Sequence, residues 1–508
     1  MQKPPQPHFG EIPSQSRFAK ARFSPLFDAV TKKAQLARLR RRLGDAVSTA
    51  EGDLARCSLD SARLPFRPDA VVRPQSDDQL QKMLLLANEL RVPVTPRGAG
   101  SATTGAASPI HGGWVLDLTG WNQIQIDATA GMAHVGAGAV TKDINDAAER
   151  KGWFYPPDPS SLKYCTIGGN LATNAGGLRG AKYGVTRDYV FALEGFLPTG
   201  EPVRWGAPLK KFASGFNLRD LWIGSEGMLG VITGATLKLI PKPASRWTCL
   251  AAFQNESQAL RAVKKLLGLR VVPSILEFLD RQSVDCAQRR RGGPFFPKIK
   301  TCSLLLLELD GHPAAVRESR QIVQALFKER ALASRQTSDP AQAETLWEAR
   351  RTCSQAMFQM GDTKLNEDIV VPLQSYEPLI RYTLELKKLT GLATPTFGHV
   401  ADGNFHVHLM YDHGDPDQCA HAERGLQLLM EKVVELGGAI TGEHGVGLAK
   451  SPFLHLQHTK AEIAAMKRIK DALDPNGILN PGKMFDEFIM WRHERDYAWT
   501  FPWDHHKA

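Results

Sequence analysis

An Asp-Gly pair, Asp402-Gly403, separates two short stretches of alternating apolar residues, Thr396-Phe397-Gly398-His399-Val400-Ala401 and Asn404-Phe405-His406-Val407-His408-Leu409. A type I′ turn needs positive φ at both central residues. Asp-Gly tolerates that, so the stretch predicts a β-hairpin with those two residues as its loop. In that register His399 faces His406 directly and His408 points to the same face. Opposed residues have Cβ atoms roughly 4.5 to 5.5 Å apart, so the two imidazoles can grip one ion. A later Gly-flanked segment, Gly442-Glu443-His444-Gly445-Val446-Gly447, offers Glu443 as an oxygen ligand. Two histidines and one carboxylate leave a coordination position open, which suits catalysis rather than a structural site. The expected metal ligands are therefore His399, His406 and Glu443.

With 508 residues, 43% of them hydrophobic, the chain is long enough for more than one domain with a sizeable core. The formal charge of +10 suits an anionic substrate, an acidic partner or an anionic membrane surface. Its basic residues are scattered, and nothing reads as a nucleic-acid signature. The cluster Arg38-Leu39-Arg40-Arg41-Arg42 falls in a helix-like run and reads as a solvated helix face. Seven cysteines without a C-x-x-C pair argue against a disulfide framework, a zinc knuckle or an iron–sulfur cluster, and imply a reducing compartment. The start of the chain is Pro-rich and lacks an apolar core of signal-peptide length, and no later run is long and apolar enough to span a bilayer. The expected location is cytoplasmic, with peripheral attachment at the inner membrane face allowed, or the mitochondrial matrix in a eukaryote.

Three glycine-rich segments come earlier. A strand at Val92–Thr95 empties into Pro96-Arg97-Gly98-Ala99-Gly100-Ser101, whose backbone amides can converge on an anion such as pyrophosphate. It lacks the third glycine of a dinucleotide fingerprint, and another strand, Trp114–Leu118, follows it instead of a helix, so a Rossmann reading is rejected. The second runs from Pro159-Ser160 through Cys165-Thr166-Ile167-Gly168-Gly169-Asn170 to Asn174-Ala175-Gly176-Gly177. Its small residues and amide side chains fit the face of a flat, three-ring cofactor. The third is Gly224-Ser225-Glu226-Gly227-Met228-Leu229-Gly230-Val231-Ile232.

Taken with the His and Glu-His stretches, these motifs resemble the flavin-dependent D-2-hydroxy acid dehydrogenases. That family shares the vanillyl-alcohol oxidase and p-cresol methylhydroxylase fold and includes D-lactate, D-2-hydroxyglutarate and glycolate dehydrogenases. The resemblance covers roughly Ala55 to Phe485 and implies an α+β protein: a two-subdomain FAD-binding domain of p-cresol methylhydroxylase type plus an α+β cap domain over the substrate. The expected divisions are an N-terminal extension (1–47), the FAD-binding domain (48–244), the cap with the catalytic region (245–488) and an aromatic tail (489–508). The resemblance implies FAD held by Arg97, Gly98, Ala99, Gly100 and Ser101 at the pyrophosphate. It places Pro159, Ser160, Cys165, Thr166, Gly168, Gly169, Asn170, Asn174, Gly176 and Gly177 around the ring, and Glu226, Gly227, Val231 and Ile232 toward the adenosine. Asn480, in the segment returning to the flavin, completes the set. The first loop has no histidine, so noncovalent FAD is expected.

A helix around Leu346–Arg351 resembles the family segment whose arginine holds the substrate carboxylate. Arg350 is the expected fork, with Ser354 one turn on, and Lys364 and His408 as further substrate contacts. The implied reaction is oxidation of an α-hydroxy acid: hydride leaves Cα for flavin N5, a divalent ion (zinc or manganese) polarises the hydroxyl, and His444 takes its proton. D-Lactate, D-2-hydroxyglutarate and larger D-hydroxy acids all stay open. So does the electron acceptor, whether quinone, cytochrome, electron-transfer flavoprotein or iron–sulfur partner, and a homodimer is open too. The competing reading is a non-catalytic FAD-binding subunit of a glycolate-oxidase-type complex. Trp491, Tyr497, Trp499, Phe501 and Trp503, in the tail, are expected to pack on the protein's own surface.

Overall fold

A computed structural model describes residues 31–493, 495, 496 and 501. The Pro-rich start, and of the tail aromatics the Trp491 side chain, Tyr497, Trp499 and Trp503, lie outside the described residues. Phe501 is buried against Leu59 and Tyr164.

The chain builds three main sheets in sequence. The first joins β1 (Val47–Ser48), β2 (Ala70–Val72), β3 (Val94–Arg97) and β4 (Trp114–Asp117) in the order β1-β2-β4-β3. Strands β3 and β4 are parallel neighbours joined by a loop with no helix in it, as the glycine pattern after β3 predicts. Helix Asp77–Leu90 starts where the Ser76 side chain accepts from the Gln79 amide, and its Leu80, Met83, Leu84 and Ala87 are buried in the core of this sheet. The second sheet is antiparallel: β5 (Ile124–Asp127), β6 (Met132–Gly136), β8 (Val190–Phe196), β9 (Pro202–Gly206) and β10 (Val231–Lys238), ordered β5-β6-β10-β8-β9. A short pair, β7 (Trp153–Phe154) and β11 (Ile240–Pro241), stands beside it. The Gly168-Gly169-Asn170 segment is helical, Ile167–Thr173, and stops at Asn174 in the left-handed region.

The third sheet has seven strands, all antiparallel: β12 (Ser245–Phe253), β13 (Ile275–Leu279), β14 (Ser303–Gly311), β15 (Ala333–Thr337), β16 (Thr363–Val370), β17 (Thr396–His399) and β18 (Asn404–Tyr411). Their order is β15-β12-β14-β13-β17-β18-β16. The run Leu304–Leu309 does not alternate because both faces of its strand are covered. Leu305, Leu307 and Leu309 join one core and Leu304 and Leu306 the other. Full burial of each such leucine is worth about 1.5–3 kcal/mol.

The two-residue period then sorts the chemistry onto one face. On the face of Leu276, Phe278, Phe405, Val407 and Leu409 the sheet is apolar. The opposite face carries Glu277, His399, His406, His408, Asn366 and Asp368, because Glu277 pairs with His399, Asp368 with His406 and Asn366 with His408. The C-terminal segment returns to the first sheet: Val94 donates its amide to Ile478 and its carbonyl accepts from the Asn480 amide.

Candidate active site

The hairpin forms, but in a register two residues away from the expected one. His399 pairs with Asn404 and His406 with Phe397, leaving a four-residue loop, Val400–Gly403, in which Gly403 has φ 85° while Asp402 keeps ordinary negative φ. The tight turn loses to tertiary packing. Val400 is fully buried in the apolar core and donates its amide to Leu276 on the neighbouring strand, which draws it out of the hairpin ladder. A shift of two preserves side-chain parity, so both histidines stay on the expected face. Their Nε2 atoms lie 3.5 Å apart. Glu443 Oε1 completes a triangle, 3.7 Å from His399 Nε2 and 3.6 Å from His406 Nε2.

Acceptors behind the triangle hold it in place. His399 Nδ1 is hydrogen bonded to Glu277, which leaves Nε2 facing the other ligands, the carboxylate–histidine arrangement typical of metal sites. Glu277 also accepts from Arg350 Nε at 2.5 Å. Burial works to raise the Glu277 pKa, but the charges of His399 and Arg350 override it and hold it down at about 2. For His399, burial acts to lower the pKa and is outweighed by Glu277 and Glu443, which hold it well up. Burial, together with the charge of His399, pushes His406 well down. The position between the two Nε2 atoms and Glu443 is thus built to carry positive charge, and the donor set fits a divalent cation.

No regular strand delivers Glu443 and His444. The segment is an irregular loop hung on two carboxylates. Asp368 Oδ2 accepts from the amides of Gly442, Glu443 and His444 at 2.8, 2.9 and 3.0 Å and from Thr441 Oγ1 at 2.9 Å. Five residues on, Glu226 accepts from the Val446 amide at 2.6 Å and the Gly447 amide at 2.8 Å. Between them Gly445 has φ 83°, and a Cβ there would meet Glu226 Oε1 at 2.7 Å, so only glycine fits. His444 stacks on His406 with ring centroids 5.6 Å apart, and its Nε2 is 3.8 Å from Glu443 Oε1.

A cavity of about 420 Å³ opens beside this loop. Its wall includes the expected cofactor residues Arg97, Gly98, Ala99, Gly100, Ser101, Pro159, Ser160, Thr166, Gly168, Gly169, Asn170, Gly176, Glu226, Gly227 and Ile232. The wall also includes Ser354, Lys364, Asn366, Glu443 and His444. The Thr166 hydroxyl is buried there without a protein partner. A Cβ on Gly176 would come within 3.0 Å of Glu443 Oε2, so the glycine segment and the Glu443 loop touch. These features fit FAD.

Five expected cofactor residues do not line the wall. Cys165 is buried behind it, its thiol toward Thr141. The Asn174 side chain caps the Arg187 amide. Gly177 packs its backbone on Asp158. The Val231 side chain lies in the core of the first sheet, and Asn480 donates inward to the carbonyls of Ala106 and Glu226. Arg97 is part of the wall. Its guanidinium turns inward to the carbonyls of Ala107 and Arg56, bracing the loop instead of reaching outward. Sequence reading missed Ser61, Leu118, Ala137 and Tyr164 in the wall, because such residues at strand ends and turns carry no motif. It also missed Glu277 and Asp368. The available signal was a lone acid inside an apolar strand run, Ile275-Leu276-Glu277-Phe278-Leu279.

The expected substrate contacts assemble in two groups. Ser354 Oγ accepts from Lys364 Nζ at 2.7 Å on the cavity wall. Arg350 and His408 are not part of that wall, and both pack on Phe397. The guanidinium is 4.0 Å from the Phe397 ring centroid, and the His408 ring centroid is 4.9 Å from it. Among the described residues, no protein group takes a hydrogen bond from Nη1 or Nη2 of Arg350. His408 Nδ1 is 3.0 Å from the Pro395 carbonyl, and its Nε2 is buried without a partner.

Two family models match the chain. Residues 68–206 match the FAD binding domain and residues 242–484 the FAD linked oxidases, C-terminal domain. The glycolate oxidase subunit GlcD of Bacillus subtilis is 40% identical over 82% of this chain and 89% of its own. The D-lactate dehydrogenase of Anaerostipes hadrus is 34% identical, covering 82% and 90%. A crystal structure of p-cresol methylhydroxylase with substrate bound superposes with a TM-score of 0.74 at 18% identity, covering 90% of this chain and 97% of the other, and speaks for the fold. The chain therefore belongs to the FAD-linked oxidases, an oxidoreductase family whose members here include D-lactate dehydrogenases and glycolate oxidase GlcD subunits, on the p-cresol methylhydroxylase fold.

Proposed function

We propose that this flavoprotein oxidises a D-2-hydroxy acid to the 2-oxo acid, with a divalent metal held by His399, His406 and Glu443. The observation that carries the reading is the convergence of those three ligand atoms within 3.5 to 3.7 Å of one another, next to a cavity whose flavin-side Gly176 touches Glu443. Electron transfer alone has no need of such a set.

Bound FAD supplies the hydride acceptor and a bound divalent cation supplies Lewis acidity toward the substrate hydroxyl. The protein's own residues do the rest. Arg350, fixed through Nε to Glu277, presents Nη1 and Nη2 as a fork for the substrate carboxylate. Lys364 and Ser354 set the polarity of the wall where the substrate's remaining substituent lies, and so bear on which acid is taken. His444 accepts the hydroxyl proton at Nε2, the nitrogen beside Glu443, while Asp368 fixes the loop that carries both. FAD sits noncovalently in the glycine-lined wall.

Anaerobic bleaching of the flavin's visible absorbance by a panel of D- and L-2-hydroxy acids tests this. One D-acid bleaches, its L-isomer does not, and removal of divalent metal by chelator or substitution His444→Ala abolishes the effect. Metal-loaded protein that no acid bleaches would instead support a non-catalytic subunit, consistent with the subunit name of the Bacillus subtilis relative.

A further inference from the structure

Between the edge strand β9 and the short helix Leu218–Trp222, residues 208–217 are all exposed. Leu209 is 56%, Phe212 51% and Phe216 92% exposed. Eleven large apolar side chains are exposed among the described residues, and three of them stand in the eight positions from Leu209 to Phe216, including two of the three exposed phenylalanines. Lys210 and Lys211 lie between them, and the segment Pro208-Leu209-Lys210-Lys211-Phe212-Ala213-Ser214-Gly215-Phe216-Asn217 has no acidic residue. Its base is fixed. Trp205 at the end of β9 and buried Trp222 in the helix meet edge to face with ring centroids 5.7 Å apart.

We propose that this loop is an interfacial anchor that seats the protein on an anionic phospholipid surface. Three apolar side chains at least half exposed to water, on a pedestal held by buried tryptophan, gain free energy from any apolar phase they can enter. The lysines select the phase. Aromatic tips combined with Lys are the chemistry of the membrane interface, where the rings enter the acyl boundary and the ammonium groups stay among lipid phosphates. A protein partner's hydrophobic patch is the weaker match, since the cores of protein interfaces are depleted in Lys. The chain's charge of +10 adds a long-range attraction of the same sign. Among the described residues no helix is long and apolar enough to cross a membrane, so attachment by such a loop is shallow and reversible.

Flotation of the full-length, FAD-loaded protein with vesicles tests this, comparing pure phosphatidylcholine with a phosphatidylcholine–phosphatidylglycerol mixture. Wild type floats with the anionic vesicles about tenfold or more better than with the neutral ones. The doubly substituted Phe212→Ser/Phe216→Ser protein loses at least about tenfold in partitioning, the effect of removing a ring's worth of burial. Lys210→Glu/Lys211→Glu loses the preference for anionic lipid, as does wild type at high salt. Flavin content stays unchanged in both variants, because the loop contributes nothing to the cavity wall. Wild type that fails to float, or variants that float as well as wild type, overturn the proposal. The first of these outcomes would assign the loop to a protein partner.

Discussion

Asp368→Asn is the substitution that separates a designed catalytic loop from an accidental cluster of histidines. Asp368 is fully buried, and its two oxygens receive five donors: four from the Thr441–His444 segment on Oδ2, and Asn404 Nδ2 at 2.6 Å on Oδ1. A carboxylate, acceptor-only at both oxygens and charged, can face all five donors, some sharing a lone pair. An amide of the same shape cannot, since one of its two ends is itself a donor. With its oxygen toward the loop, Asn keeps four bonds in neutral form, each weaker by about 1 kcal/mol, and sets its own NH₂ against Asn404 Nδ2. Asn404 cannot turn its amide over without losing its other bond, to the Ile369 carbonyl. The sum is about 4 kcal/mol or more against the observed loop geometry. This cost falls on Glu443 and His444, whose amides are two of the donors. A displacement of about 1 Å at a reacting group costs on the order of 100-fold in rate. The expected protein retains about one FAD per chain, since the glycine-rich wall is untouched. It loses bound metal on dialysis and reduces its flavin about 100-fold more slowly with the hydroxy acid that bleaches wild type. Thr441→Val removes a single donor from the same oxygen and should cost about tenfold. Metal content is read by elemental analysis against flavin absorbance and rate by stopped flow. Wild-type metal content together with a rate within a few-fold of wild type in Asp368→Asn would refute the reasoning.

Further substitutions probe the other parts. His444→Gln should keep FAD and metal yet lower the flavin reduction rate by about 100- to 10,000-fold, the range for losing a positioned base; retention of the rate would remove His444 from that role. Arg350→Lys replaces a fork with a point charge and should reduce kcat/KM by about ten- to a hundredfold, mostly through KM, whereas an unchanged KM would place the carboxylate elsewhere. Gly445→Ala forces a Cβ onto Glu226 at a positive φ and should lower Tm by several degrees, with loss of activity; an unchanged Tm would contradict the crowding. Burial raises the Glu226 carboxyl, against the two amides that pull it down, to about 7. The folded state then holds that proton more tightly than the unfolded chain, so its stabilising contribution is full below about pH 4.5 and lost as pH rises to about 7, for about 3 kcal/mol in all. Tm measured across that window should fall more for wild type than for Glu226→Gln, and parallel curves would show that Glu226 does not titrate there.

Much of this arrangement could be read in the residues, and where the reading failed the reasons are specific. Asp402-Gly403 announced a hairpin, but its register depended on Val400, whose core burial is a tertiary fact invisible in a local pattern. The error was harmless to the site because strand parity tolerates a slip of two. The glycine clusters marked the cofactor wall, since close approach of backbone leaves a compositional trace. Arg97 and Asn480 were placed in the site, but their side-chain directions depend on carbonyls far away in sequence that no spacing reveals. The convergence of His399, His406 and Glu443 was legible because histidines on one strand face are unusual. Glu277 and Asp368, which orient those ligands, were not, because a buried acid in a strand has no meaning until its partner strands are known.

The geometry also explains why the reacting loop lacks regular structure. In the proposed function Thr441–Gly447 carries a metal ligand and a base side by side, at the seam between the cofactor-binding half and the cap. A strand would point Glu443 and His444 to opposite faces. The chain meets this by giving up ladder bonds and directing its amides onto two buried acceptors, Asp368 from the cap sheet and Glu226 from the cofactor-binding half. Both acceptors are buried, so the position of His444 relative to the cavity wall is tied to the two sides that carry them. The second contact across the seam is of the same kind: Asp310 on β14 accepts from Lys182 Nζ and Tyr183 Oη in the short helix Gly180–Tyr183 that follows the ring segment. Buried carboxylates, Asp368 and Asp310 on strands of the third sheet and Glu226 in the turn before β10, thus do for this loop what regular secondary structure does elsewhere.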